Sequence, residues 1–145
     1  MRFLRRASRK PAEHTVQEFI TPYIDQYTPE QGDWHPVPGF GNHFGDIDPM
    51  VRNYANHLGH LVAAGECINW ARDLCDILQQ YRLGRLMTGL TAAVLSDLGF
   101  QPRAGAGLYQ LMCAPGLLAH GLEYANKPLN AVPFVADEHY HIESR

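Results

Sequence analysis

DPMVRNYANHLGHLVAAGECINWARDLCDILQQY, residues 48–81, decides the class of this fold. Asp48 followed by Pro49 is a helix start. The carboxylate can accept from the first unpaired N–H groups, and proline at the first helical position forgoes a donor that has no partner there. Val51, Tyr54, Leu58, Leu61 and Val62 then recur at three- and four-residue spacing and form one apolar face. Gly65 ends that run. Cys67, Ala71, Leu74, Leu78 and Tyr81 define a second helix, which Gly84 breaks.

The same period extends outward on both sides. Upstream, Val16, Phe19, Ile20, Tyr23, Ile24 and Tyr27 predict a helix over Pro11–Tyr27, with Pro22 placed to kink it. Downstream, a helix begins near Thr88, buries Leu90, Ala93, Val94 and Leu98, and stops at Gly99. GAGLYQLMCAPGLLAHGLEY, residues 105–124, reads as a long apolar helix rich in small residues, bent at Pro115. The tail from Lys127 has no helical period and reads as extended. No stretch alternates strongly enough to build a sheet, so the expected fold is all-α, with a long C-terminal helix and an extended tail.

A chain of 145 residues, 46% apolar, is one domain's worth and can bury a sizeable core. A net charge of −3 gives no case for nucleic acid, and no apolar run approaches a membrane span. Charge is uneven. The first ten residues hold five of the twelve Lys/Arg, while the other 135 hold seven basic against fifteen acidic residues. Residues 1–12 therefore read as a basic segment, solvated and frayed, or alternatively a targeting segment, ahead of a helical domain over 13–145. Cys67, Cys75 and Cys113 are odd in number and set among apolar residues. They read as reduced thiols in a cytoplasmic setting.

Residues 28–49, TPEQGDWHPVPGFGNHFGDIDP, carry four prolines and four glycines and read as a long irregular loop of the functional kind. His139 and His141 share one face of an extended tail with Glu143, a set that can bind a divalent ion, but no spacing fixes a strong third ligand and no metal is expected. His57 and His60, one helical turn apart, read as an exposed pair. His120 sits among Leu117, Leu118 and Leu122 and reads as a core or interface histidine. Cys113 reads as buried and inert rather than nucleophilic.

Four stretches in order are Val37–Gly41 (VPGFG) leading into Asp48-Pro49, Thr88–Phe100 (TGLTAAVLSDLGF), Gly107–Glu123 (GLYQLMCAPGLLAHGLE) and Lys127–Val135 (KPLNAVPFV). Their order and spacing resemble the C-terminal part of the citrate synthase and citryl-CoA lyase family, over about Val37 to Glu143. The resemblance implies a helical small domain plus the return helix. It implies C–C bond formation or cleavage between an acetyl-CoA methyl carbon and a 2-oxo acid. In that family two histidines and an aspartate move protons, and arginines clamp carboxylates.

Carried over residue by residue, the family's second histidine falls on Asn42, or on His43 if the gap in the shorter loop is shifted. The carboxylate-binding arginine after Asp-Pro falls on Met50, the catalytic aspartate on Thr88, and a further substrate arginine on Cys113. Thr88 cannot serve as a general base near neutral pH. The coenzyme A loop is intact at Val37, Gly39, Phe40 and Gly41, with Arg82 and Arg85 placed for the cofactor's phosphates or, equally, as a solvated helix end.

The resemblance thus implies a diverged member that handles an acyl-CoA and a 2-oxo acid or its adduct. It would be a split subunit completed by a larger catalytic partner or by a homo-oligomer. The alternatives are a non-catalytic CoA-binding or regulatory module, or a decayed remnant.

Overall fold

Helix makes up 66% of the computed structural model, which describes residues 1–24, 33–43, 45–61, 64–125 and 127. Among the described residues six α-helices follow in order: α1 (Arg2–Ala7), α2 (Ala12–Phe19), α3 (Pro49–Gly59), α4 (Glu66–Leu78), α5 (Met87–Asp97) and α6 (Pro102–Tyr124). The described residues form one sheet, of two very short antiparallel strands, β1 (Phe40–Gly41) and β2 (Gly84–Arg85), paired Phe40 to Arg85 and Gly41 to Gly84. The all-α expectation holds. The chain divides into two units, Met1–Ala106 and Gly107–Arg145, and α6 begins in the first.

The core of the first unit is built around α4, which buries Cys67, Ile68, Trp70, Ala71, Leu74 and Leu78. It packs against α2, α3, α5 and β2. Its own N-cap is Gly65, which has no side chain to offer. Asp97, at the end of α5, supplies the cap from outside, accepting from the amides of Cys67 and Ile68 at 2.9 Å each. A carboxylate there meets both unpaired donors and the positive end of the helix dipole. Gly65 leaves room for it, since a Cβ would lie 2.5 Å from the Asp97 Cγ.

Local signals place most boundaries. The Asp48 Oδ1 accepts from the Met50 and Val51 amides at 2.8 and 3.2 Å, so α3 starts where Asp-Pro predicts. Gly99 takes φ +84° just past α5, and the Phe100 amide reaches back to the Leu95 carbonyl at 3.0 Å, a glycine-terminated helix end. Leu98, expected inside with Leu90 and Ala93, is exposed at the end of α5. Four further expectations need correction.

The basic N-terminus is not frayed: α1 buries Leu4 in the core, and Arg5 Nη2 donates to the carbonyls of Ser96 and Phe100 at the C-terminal end of α5, where a cation is favoured. Trp70 Nε1 donates to the Lys10 carbonyl at 3.0 Å, and Phe3 packs edge-on to both Phe19 and Trp70.

α2 ends at Phe19 instead of kinking, because Thr21 precedes Pro22 and the residue before proline is driven out of the helical region. Tyr27 lies outside the described residues.

α3 ends at Gly59, short of Gly65, and of its expected face only Val51 is fully buried. Leu58 is half-buried, Tyr54 and Leu61 are exposed, and Val62 lies outside the described residues.

His120 is not a core residue. It is exposed, as are the leucines around it, Leu117, Leu118 and Leu122.

In the second unit, α6 from Gly107 has no fully buried residue. Pro115 sits inside the helix without ending it. Lys127 pairs with Glu123 at 3.5 Å and lies 4.4 Å over the Tyr124 ring. No helix among the described residues is long and apolar enough to cross a membrane. The extended tail beyond Lys127, with His139, His141 and Glu143, lies outside the described residues. The cysteines are free: Cys67 is buried, Cys75 and Cys113 half-buried.

Candidate functional site

The Asn42-His43 pair divides into a structural residue and a surface one. Asn42 is 1% exposed. Its Oδ1 accepts from the Trp34 amide at 2.7 Å, its amide donates to the Trp34 carbonyl at 3.1 Å, and its carbonyl accepts from His35 Nε2 at 2.9 Å. An amide side chain suits this closure, because its oxygen accepts from a backbone donor. Asn42 thus ties residues 33–35 to 41–43. His43 lies on the outside of that tie, where its Nδ1 donates to Asp33 Oδ2 at 2.8 Å. It is exposed and lines a shallow depression with Asp46, Ile47, Asp48, Pro49 and Arg52.

The glycines of the loop serve backbone packing. Gly39 has φ +86°, and a Cβ on it would sit 2.6 Å from the Gly89 Cα. A Cβ on Gly89 would in turn fall inside the Gly39 carbonyl oxygen. That carbonyl accepts from the Leu86 amide at 3.0 Å. A Cβ on Gly41 would strike the Trp34 carbonyl and His35. Val37, Phe40 and Gly41 are buried, and Phe40 packs edge-on to Trp70. Val37, Phe40 and Gly41, expected to cradle coenzyme A, are therefore placed as core, while Gly39 lines a small cavity. That cavity measures about 180 Å³ and lies beside Pro38, Thr88 and Phe3.

A larger opening lies between α3 and α4, floored by β2. Its volume is about 560 Å³, inside the range of metabolite pockets. Three arginines line it: Arg52 from α3, Arg72 from α4 and Arg85 from β2, with Cys75 and Asp76 as neighbours. Arg85 is the unusual member, 5% exposed. Its Nη2 lies 3.5 Å from the Ile68 carbonyl, a marginal bond, and its Nε and Nη1 are buried with no partner among the described residues. Guanidinium groups are almost never buried unpaired, because desolvating a charge without compensation costs several kcal/mol. With two nitrogens of Arg85 open and two more arginines beside it, this wall of the cleft is strongly cationic, offset by Asp76. Burial pushes the Cys75 thiol up, against the opposing pull of the Arg85 guanidinium. The thiol stays protonated near neutral pH and is no nucleophile.

The remaining sequence candidates are scattered. Arg82 takes a left-handed turn at φ 56° and is exposed, 3.4 Å from Asp46. Met50 is exposed on the first turn of α3. Thr88 is exposed and lines only the small cavity beside Gly39, where His43 is not among the lining residues. Cys113 is half-buried in the second unit beside Tyr109, whose hydroxyl is pushed up by burial and by that thiol. Of the expected site residues, Arg85 alone lines the α3–α4 cleft. Sequence reasoning missed Arg52, Arg72, Asp33 and His35. The first two stand on opposing helices, which no single-helix period reveals. Asp33 and His35 carried a signal, an alternating Asp-x-His in an extended run. Compared with protein-family models, with curated proteins and with solved structures, the chain matches none.

Proposed function

We propose that this chain is a binding domain for a small, multiply anionic ligand, seated between α3 and α4 on Arg85 with Arg52 and Arg72 at the mouth. The observation that carries this reading is the buried Arg85 guanidinium with two nitrogens unpartnered. A planar fork of donors suits a carboxylate or a phosphate bidentately. The ligand class implied by the citrate synthase resemblance has that chemistry: a 2-oxo dicarboxylate or its adduct, or the phosphates of an acyl-CoA. The binding or regulatory reading is favoured over the catalytic one. Asn42 is consumed by the loop, Thr88 and His43 line different openings, and the one thiol in the cleft is held protonated.

Calorimetric titration with citrate, oxaloacetate, coenzyme A and acetyl-CoA tests this. Binding of at least one of them, lost on Arg85→Gln, is the expected result. No heat from any of the four contradicts the reading.

Assembly is part of the proposal. From Gly107 onward, α6 leaves Leu111, Met112, Leu117, Leu118 and Leu122 exposed. A monomer rarely keeps so many together. A second copy or a larger subunit would cover them, and Gly116, Ala119 and Gly121 would let its helix approach closely. Light scattering at micromolar concentration should give a mass above 16.3 kDa, falling to the monomer on Leu118→Glu. A monomer in both cases removes self-association.

A further inference from the structure

We propose that Asp33, His35 and His43 form a divalent-cation site of the zinc type, separate from the arginine cleft. One ligand atom from each lies within 4.8 Å of the other two. The backbone explains why they meet. The Asn42 amide and side chain bind the Trp34 carbonyl and amide, so residues 33–35 lie against 41–43. Trp34 packs on the core and Asn42 is buried, so alternation sends Asp33, His35 and His43 to the outer side. The two imidazoles stand edge to face with centroids 5.6 Å apart.

The hydrogen bonds fix the tautomers. A carbonyl and a carboxylate can only accept, so His35 carries its proton on Nε2 toward Asn42, and His43 on Nδ1 toward Asp33. The His35 contact orients that ring and leaves its Nδ1 unprotonated, as an outer hydrogen bond does for a metal-binding imidazole. Ligand atoms around a tetrahedral zinc stand roughly 3.4 Å apart, given bonds of about 2.0–2.2 Å. All three side chains are exposed, so small rotations close the set. The ion then takes the place of the proton between His43 and Asp33, that proton is exchanged through solvent onto His43 Nε2 so that the ring stays neutral, and His35 completes three ligands through Nδ1. A fourth position is left for water or for a bound anion. The depression beside His43 shares Ile47 and Arg52 with the arginine cleft.

Cobalt(II), a spectroscopic stand-in for zinc, tests the site on the full chain. One equivalent should produce the intense visible bands of a low-coordinate ion, with affinity rising as pH rises through the imidazole range. His35→Ala and His43→Ala should each weaken binding by more than about 100-fold, beyond the roughly 10–100-fold typical of outer-shell changes. Asp33→Asn, which keeps the shape of the loop, should weaken it at least about tenfold with an unchanged far-ultraviolet circular dichroism spectrum. Absence of the bands in the unaltered chain would overturn the proposal. So would bands that survive Asp33→Asn and the double histidine variant but vanish on His139→Ala with His141→Ala.

Discussion

Arg85→Met should make the chain more stable and leave it unable to hold an anion. Most substitutions of a residue only 5% exposed destabilise. Here the buried group is a charge whose Nε and Nη1 have no partner, and whose Nη2 has only a 3.5 Å approach to Ile68. Methionine fills similar space, leaves the β1–β2 backbone pairing intact and removes the desolvation cost. Replacing buried charge with well-packed apolar side chains is typically neutral or stabilising, and the expected gain is about 1–3 kcal/mol. Urea unfolding with an unchanged slope reads it directly. A variant destabilised like an ordinary core truncation, with ligand binding retained, would show that Arg85 serves packing.

The opposite outcome is expected at Gly89. The β1 loop and the first turn of α5 touch backbone to backbone there, and any Cβ on Gly89 falls inside the Gly39 carbonyl oxygen. No rotamer relieves this, because the obstructing atom is main chain and is held by the Leu86 amide at 3.0 Å. Gly89→Ala must push β1 off α5, and with it Phe40, which is fully buried against Trp70. The loss should be about 3 kcal/mol or more, the upper range for overpacking, a large share of the roughly 5–15 kcal/mol that holds a domain folded. Gly107→Ala on α6 is the control. A Cβ there meets nothing within 4 Å, and alanine favours the helix by up to about 1 kcal/mol. Equal midpoints for Gly89→Ala and the unaltered chain would refute the close contact.

The two glycines also show what could be read from sequence and what could not. Signals that act over one turn of chain were legible. Asp48-Pro49 starts α3, Gly99 ends α5, and the run Cys67, Ala71, Leu74, Leu78 marks the buried face of α4. Signals that depend on distant partners were not. β1 and β2 have two residues each, too few to alternate, so their pairing left no periodic trace. Five basic residues at the N-terminus look solvated, yet Leu4 between them is core, and Arg5 caps a helix about ninety residues away. α3 has the right period, but only Val51 is fully enclosed.

Site residues followed the same division. Arg82 and Arg85 are three apart and chemically identical, but a left-handed turn at Arg82 and strand pairing at Arg85 send one to solvent and the other beneath the cleft. Asn42 reads as a replaced catalytic residue when aligned by position. In space it is the tie that shapes the loop. Asp33 and His35 have the same alternation as His139 and His141. What sets them apart is a third residue, His43, brought up by a closure that only the fold reveals.

An anion seated on Arg85 in the α3–α4 cleft should stabilise the folded chain. Paired thermal melts of the unaltered chain and Arg85→Met, with citrate or inorganic phosphate raised stepwise at constant ionic strength, test it most directly. A ligand that binds only the folded state raises stability logarithmically with its concentration. The unaltered chain should start with the lower midpoint and climb with added anion, while Arg85→Met should start higher and stay flat. Parallel curves, whether both climb or neither does, would contradict it.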